Sequence, residues 1–86
     1  MGELVANNGT YIVNNTTQVE GKLFDAIIVL EDTIFLEIFI GEPDVLSEYI
    51  ANPAIAIKAG ARITPMNDLK FTSLTLVSGS VELVLA

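Results

Sequence analysis

Carboxylates are the side chains of this sequence best suited to chemistry, and they lie close together at two places. Glu31 and Asp32 are adjacent, and Glu42 and Asp44 are separated by a single proline. Paired carboxylates can act as general acid and base, or they can bind calcium. Neither place has the D-x-[DN]-x-[DN]-G spacing of a calcium loop. We therefore expect Glu31 and Asp32 in a solvated turn, and Glu42 and Asp44 at the start of a helix.

Other groups that could carry out a reaction or bind a metal are scarce. The chain has no His and no Cys, so it lacks the usual activating base, a thiolate metal site and any disulfide. Ser78-Gly79-Ser80 does not match G-x-S-x-G and predicts a turn. Aromatic rings could stack on a base or a sugar, but without basic neighbours we expect them to fill a core or an interface: Phe24, Phe35, Phe39 and Phe71. We expect no enzymatic activity, no cofactor and no bound metal.

The charge balance is acidic, because eleven Asp and Glu against four Lys and Arg give a net charge of −7. Four scattered cations form no basic stripe, so nucleic acid is not an expected partner. A membrane-spanning helix needs about 20 uncharged apolar residues, whereas the most apolar segment, 23–40, contains four acidic residues. The first residues lack a basic segment followed by an apolar one. We expect a soluble protein made in a cytoplasm, without a membrane partner.

The most regular pattern lies at the C-terminus, over residues 70–85. Ser78-Gly79 is a turn-compatible pair between two runs of β-favouring residues. Alternation places Leu74 and Leu76 on one face of the first run, and Val81, Leu83 and Leu85 on one face of the second. This pattern predicts a β-hairpin that ties the C-terminus into a sheet.

The densest apolar segment, 23–40, is divided by Glu31-Asp32-Thr33 into two predicted strands, 23–30 and 33–40. Strict alternation gives the first strand one face with Phe24, Ala26, Ile28 and Leu30, and another with Ile27 and Val29. It gives the second strand one face with Ile34, Leu36, Ile38 and Ile40, and another with Phe35 and Phe39 flanking Glu37. Strands that are apolar on both faces are covered on both faces. A helix is the alternative, but the many β-branched and aromatic residues disfavour it.

The remaining patterns complete an all-β fold. Residues 1–21 are rich in Asn, Thr and Gly, and they predict a hairpin around Asn7-Asn8-Gly9 or an extended arm, with a loosely ordered terminus as the alternative. Pro43 and Asp44 suit the start of a short helix over 45–51, and residues 54–58 alternate like a strand. We expect residues 22–86 to form a single β domain: a small β-sandwich or barrel of six to eight short strands with one short helical insertion.

The apolar content predicts self-association. Hydrophobic residues make up 51% of the 86 residues, whereas a monomer of this size buries only about 60% of its unfolded surface. Large exposed apolar areas usually mark an interface. We therefore expect a homo-oligomer in which a second subunit covers the strands that are apolar on both faces. The residues expected at that interface are Ile27, Val29, Phe35, Phe39, Leu74, Leu76 and Leu83.

Two segments resemble a group of short proteins encoded by tailed bacteriophages: FDAIIVLEDTIF at residues 24–35, and AGARITPMNDLKFTSLTLVSGSVELVLA at residues 59–86. The shared pattern is an aromatic-x-x-Ile-x-Val-Leu-x-Asp-Thr core, an Ala-Gly turn and a closing Phe-Thr-Ser-(Ile/Leu)-x-Leu-x-Ser-Gly-Ser-Val segment. The matching positions are Phe24, Ile27, Val29, Leu30, Asp32, Thr33, Ala59, Gly60, Phe71, Thr72, Ser73, Leu74, Leu76, Ser78, Gly79, Ser80 and Val81. The resemblance covers about half of the chain. Residues 1–21 and 41–58 lie outside it, and Glu82-Leu83-Val84 departs from the more usual apolar ending.

The resemblance implies a non-enzymatic virion component, such as a capsid decoration (cement) protein or a head-fibre subunit, often trimeric. Its partners would be further copies of itself and the phage major capsid protein or another virion protein, and it would be assembled into the virion in the host cytoplasm. Leu4, Val5, Tyr11 and Ile12 would contact the shell or the neighbouring subunit. A tail or neck attachment protein is the alternative within this class. From a different class, the alternative is a carbohydrate-binding β-sandwich that uses Tyr11 or Tyr49.

Overall fold

The structure, a computed structural model, describes residues 9–86. Over this part of the chain it contains six β-strands and one short α-helix. In chain order these are β1 (Thr10–Val13), β2 (Phe24–Val29), β3 (Ile34–Phe39), α1 (Leu46–Tyr49), β4 (Arg62–Ile63), β5 (Ser73–Ser78) and β6 (Val81–Leu85). The small all-β fold predicted from the sequence is confirmed.

The strands form two antiparallel sheets. The larger sheet has the order β1-β6-β2-β4, and the smaller one pairs β3 with β5. Buried side chains from both sheets and from α1 form one continuous hydrophobic core. The domain is therefore a small sandwich in which each sheet covers the inner face of the other.

The C-terminal hairpin predicted from the sequence is wrong, although both of its strands are present. β5 pairs with β3, whereas β6 pairs with β1 and β2, so residues 78–81 cross from one sheet to the other. Residues 30–33 make the same crossing between β2 and β3. The alternation rule still places Leu74, Leu76 and Leu83 in the core, because it decides which side chains point inward and not which strand lies alongside.

A β-bulge changes which residues of β2 face the core. The pairing with β6 shifts register between Phe24 and Ala26, so Asp25 is an extra residue on β2. Phe24, Ile27 and Val29 are consequently all buried. The predicted separation of these residues onto two faces is therefore wrong.

Bulges also interrupt the smaller sheet. The pairing of β3 with β5 shifts register on both sides of Phe35, so Phe35 and Ile38 are both buried while Leu36 is 55% exposed. The predicted face that joined Leu36 to Ile38 is wrong for the same reason, since an inserted residue reverses the alternation beyond it.

Residues 9–21 belong to the same domain as the remainder of the described chain. β1 pairs with β6 along its whole length, and Val13 and Val19 are buried in the core. The described part of the predicted arm is thus an edge strand followed by a connecting segment. The expected contacts of Leu4 and Val5, and the first strand of the predicted N-terminal hairpin, lie outside the described residues.

The helix is shorter than the predicted 45–51. Asp44 stands at its start as expected, and its carboxylate Oδ1 accepts a hydrogen bond from the backbone N–H of Leu46 at 2.9 Å. Residues 54–58 do not form the predicted strand; within this segment only Ile57 pairs, with Thr33. Over residues 9–86 the structure has no helix with the length and apolarity needed to cross a membrane.

The two crossings, residues 30–33 and 78–81, pack against each other at one end of the sandwich. Thr33 is fully buried between them. Its hydroxyl lies 2.7 Å from the carbonyl oxygen of Glu31, to which it donates, and accepts from the backbone N–H of Ser80 at 3.2 Å. A single buried hydroxyl therefore connects the two crossings.

Gly79 allows this close approach. Its φ is +95°, and a Cβ placed there would lie 2.6 Å from the Cα of Thr33 and 2.7 Å from the carbonyl oxygen of Asp32. Both neighbours are backbone atoms, so they cannot move aside as a flexible side chain could. No residue with a side chain fits this position without displacing one of the crossings.

Gly79→Ala is expected to destabilise the protein more than the matched variant Gly60→Ala. Both glycines have φ of +95°, but nothing lies within 4 Å of a Cβ at Gly60. Strain at positive φ should therefore lower the free energy of unfolding by about 1 kcal/mol in both, and the overlap should raise the loss to about 3 kcal/mol or more for Gly79→Ala. Urea denaturation followed by circular dichroism measures both. Equal losses in the two variants would contradict the steric role of Gly79.

Candidate functional site

The side chains expected at a subunit interface lie almost entirely inside one copy of the chain. Six of the seven are at most 2% exposed: Ile27, Val29, Phe35, Leu74, Leu76 and Leu83. The seventh, Phe39, is half-buried at the end of β3. A second copy cannot contact the six without opening the sandwich. That expectation is corrected, because the opposite sheet of the same chain supplies the second cover.

Other apolar side chains remain on the surface. Nine large ones among residues 9–86 are at least 43% exposed: Tyr11, Ile12, Leu23, Leu30, Leu36, Ile55, Met66, Leu69 and Val77. Two of them lie on β1, two at the bulges of the smaller sheet, and two flank a turn whose residues 67 and 68 have positive φ. The apolar surface inferred from composition therefore exists, but at edges, bulges and turns and not on the strand faces that were predicted.

Tyr11 and Ile12 were expected to contact a shell or neighbour, and both line a groove beside β1. The groove has a volume of about 340 Å³ and lies between residues 11–13 and residues 15–22; it is named the β1 groove below. Amide, hydroxyl and charged side chains stand on its second wall, among them Gln18 and Glu20. Alternation could not have revealed this groove, because its walls come from the edge of a sheet and from a connecting segment.

Contacts with the sandwich hold both walls of the β1 groove in place. The backbone N–H of Val19 donates to the carbonyl oxygen of Leu74 at 2.9 Å, which fixes the second wall to the edge of β5. The ammonium group of Lys22 lies 4.5 Å from the ring centroid of Tyr11, in a cation–π contact across the groove. The β1 groove thus separates the edge of the larger sheet from the edge of the smaller one.

Tyr49 is engaged in the fold. Its ring packs edge-on against Phe71, with centroids 5.3 Å apart and an interplanar angle of 71°. Its hydroxyl accepts a hydrogen bond from the backbone N–H of Met66 at 2.9 Å. Tyr49 therefore braces the segment before β5.

The adjacent carboxylates Glu31 and Asp32 lie in a turn, as expected. The carboxylate of Asp32 accepts hydrogen bonds from the backbone N–H of Ala59 at 3.1 Å and from the ammonium of Lys58 at 3.3 Å. These bonds, first the one from Ala59 and then the one from Lys58, lower the pKa of Asp32 below its ordinary value of 3.8. Asp32 thus holds the Ala59-Gly60 turn, and within residues 9–86 no group of three or more acidic side chains could hold a metal ion.

Several of the positions that carry the phage resemblance meet at this end of the sandwich. Thr33 contacts the crossing that contains Gly79 and Ser80, while Asp32 binds the turn that begins at Ala59. The sequence predicted three separate turns here. Their spacing along the chain does not indicate that they touch, because this depends on which strands pair in each sheet.

Known proteins offer no direct guide to this site. Comparison of the chain with protein-family models, with curated proteins and with solved structures finds no match. The chemistry available at the β1 groove is that of a strand edge with exposed apolar side chains, one aromatic ring and neutral or oppositely charged polar groups. Such a surface suits binding by backbone hydrogen bonds and apolar contact.

Asp32→Asn is expected to weaken the acid dependence of stability. Because the folded state lowers the pKa of Asp32 from 3.8, the charged carboxylate contributes stability above that value, and the contribution is lost as pH falls through the lower folded pKa. The melting temperatures of wild type and variant should therefore differ at about pH 7 and converge at about pH 2.

Lys58→Met is the matched control, since it removes the ion pair but leaves the bond from Ala59, which is the largest single cause of the lowered pKa. It should keep the part of the acid dependence that this bond produces. An Asp32→Asn profile parallel to that of the wild type would contradict the role of this carboxylate.

Proposed function

We propose that the chain is a non-enzymatic structural subunit of a tailed-phage virion, acting by association with further copies of itself and with the major capsid protein or another virion protein. A capsid decoration or head-fibre role is the form that the resemblance favours. The observation that carries the proposal is the apolar surface at edges, bulges and turns, of which Tyr11 and Ile12 on β1 are the part beside a groove. These two side chains are 43% and 49% exposed, and they offer apolar contact to another protein beside the groove.

The residues shared with the phage proteins support the proposal because they stabilise the architecture of the domain. Thr33, Gly79 and Ser80 fix how the chain crosses between sheets, and Asp32 fixes a neighbouring turn. Residues of this kind specify a rigid shape that can be repeated across an assembly. Their hydrogen bonds are satisfied within the fold, so they are positioned for structure and not for reaction with a substrate.

The contacts of the two tyrosines disfavour the carbohydrate-binding alternative. A sugar platform needs an aromatic ring with an open face. The ring of Tyr49 packs against Phe71 and its hydroxyl is occupied by Met66, while Lys22 lies over the ring of Tyr11. Binding through protein surfaces is therefore the better account of the exposed apolar residues.

Quantitative mass spectrometry of purified virions tests the proposal. In particles of the phage whose genome encodes the chain, we expect the chain at a fixed ratio to the major capsid protein. Heads separated from tails distinguish the alternatives: a decoration or fibre subunit stays with the heads, whereas a tail or neck protein is enriched with the tails. A known host protein measured in the same preparation serves as the control for contamination.

Sedimentation of the purified chain at micromolar concentration tests self-association separately. We expect a species heavier than the 9.2 kDa monomer. Absence of the chain from virions would overturn the virion role, and a monomer at every concentration would overturn self-association.

A further inference from the structure

We propose that β1 pairs with β1 of a second copy, antiparallel about a two-fold axis, so that the larger sheets of two subunits join into one. This inference rests on the self-association in the proposed function and names the surface that carries it. The partner is a second copy of this chain, and the bonds are backbone hydrogen bonds at the open edge of β1. In this arrangement the side chains of Tyr11 and Ile12 add apolar contact.

The hydrogen-bond register of β1 determines which of its backbone groups face outward. The backbone N–H of Leu85 donates to the carbonyl oxygen of Gly9 at 3.0 Å, so the backbone groups of Gly9 face β6. Tyr11 and Val13 lie two and four residues further along β1 in the same register, and their backbone groups face β6 as well. In an antiparallel pair, alternate residues direct their N–H and C=O groups toward the neighbouring strand. The N–H and C=O groups of the intervening residues, 10 and 12, therefore point away from β6.

The β1 groove gives independent support for an accessible edge. Successive side chains of a strand point to opposite faces, so a groove lined by residues 11–13 together borders the edge of the strand and not one face of it. Its second wall carries both Glu20 and Lys22, whose charges cancel. The edge of β1 thus borders the groove, and the wall that faces it carries one charge of each sign.

Other strand edges among residues 9–86 are short or partly occupied. β4 is the opposite edge of the larger sheet and has only two residues, one of them the charged Arg62. In the smaller sheet, Ile57 pairs with Thr33 just before β3, Asp44 pairs with Phe39 at its end, and Val19 pairs with Leu74 of β5. β1 has no strand partner on its outer side, and its four residues include no Lys or Pro to protect it from pairing.

Charge and symmetry favour a second copy as the occupant. The subunit carries a net charge of −7, so the repulsion between two copies is weakest at surfaces without acidic groups, and β1 reads TYIV without a charge. With the two-fold axis at Tyr11, Thr10 lies opposite Ile12 of the partner subunit, and both present outward backbone groups. The β-branched and aromatic residues of β1 suit pairing of this kind. The two-fold arrangement gives a dimer or another even-numbered assembly, in place of the trimer that the resemblance implies.

Ile12→Pro in the full chain tests the pairing. Proline removes the outward N–H of residue 12 but no bond to β6, and such edge positions tolerate proline. We expect the dissociation constant of the dimer to rise by about 30-fold or more, since both copies lose a bond at the interface. Ile12→Val is the matched control; it keeps the N–H and the β-branched shape, and we expect near wild-type association by analytical ultracentrifugation.

Amide hydrogen exchange on the wild-type chain tests the register without a substitution. The amides of Tyr11 and Val13 should be protected at all concentrations through β6, whereas those of Thr10 and Ile12 should become protected only as the dimer forms. The same measurement on Ile12→Pro checks that β1 stays paired with β6.

An assembly in which Thr10 and Ile12 exchange freely would overturn edge pairing and leave self-association through another surface in place. A chain that remains monomeric throughout would overturn both. The virion measurement is independent of either result, so the failure of this inference is distinguishable from the failure of the virion role.

Discussion

The close approach of two backbone segments at Gly79 and Thr33 is the constraint on which the sandwich depends. In both places the chain leaves one sheet and enters the other, and both crossings occupy the same corner. The absence of a side chain at Gly79 lets the backbones touch, and the buried hydroxyl of Thr33 satisfies the N–H of Ser80 that this contact removes from water. The separation of the two sheets, and with it the space for the core, is set at this corner.

At each crossing, the strand before it and the strand after it belong to different sheets. The two sheets of one chain therefore cover each other's apolar strand faces. The inference that a second subunit must cover them assumed that so short a chain cannot cover both faces of its own strands. Phe24 and Phe71 illustrate this. Both are fully buried, and their backbone N–H and C=O groups form hydrogen bonds with each other although the two residues are far apart in the sequence. The apolar side chains that stay exposed lie at edges, bulges and turns, where so short a chain has no further segment to cover them.

Local chemistry predicted the type and approximate position of most elements. β-Favouring residues located β2, β3, β5 and β6, and Asp44 marked the start of the helix. Pairing and bulges were not predictable in the same way. An extra residue such as Asp25 or Leu36 changes the inward face only relative to a partner strand, and the sequence of one strand does not name its partner. Of the candidate site, Tyr11 and Ile12 were predicted as contact residues, and that role stays a prediction. The groove beside them depends on where residues 15–22 attach to β5.

The alternation of backbone groups along β1 separates its two roles. Tyr11 and Val13 direct their amides toward β6, and Val13 also buries its side chain in the core, so these residues hold the strand in the sheet. Ile12 directs both its amide and its side chain outward, where neither contributes to the core. A residue of this kind can change without loss of the fold, and its apolar, β-branched side chain is costly to leave in water. Ile12 is therefore the side chain of β1 that pairing with a second copy, as proposed above, would cover.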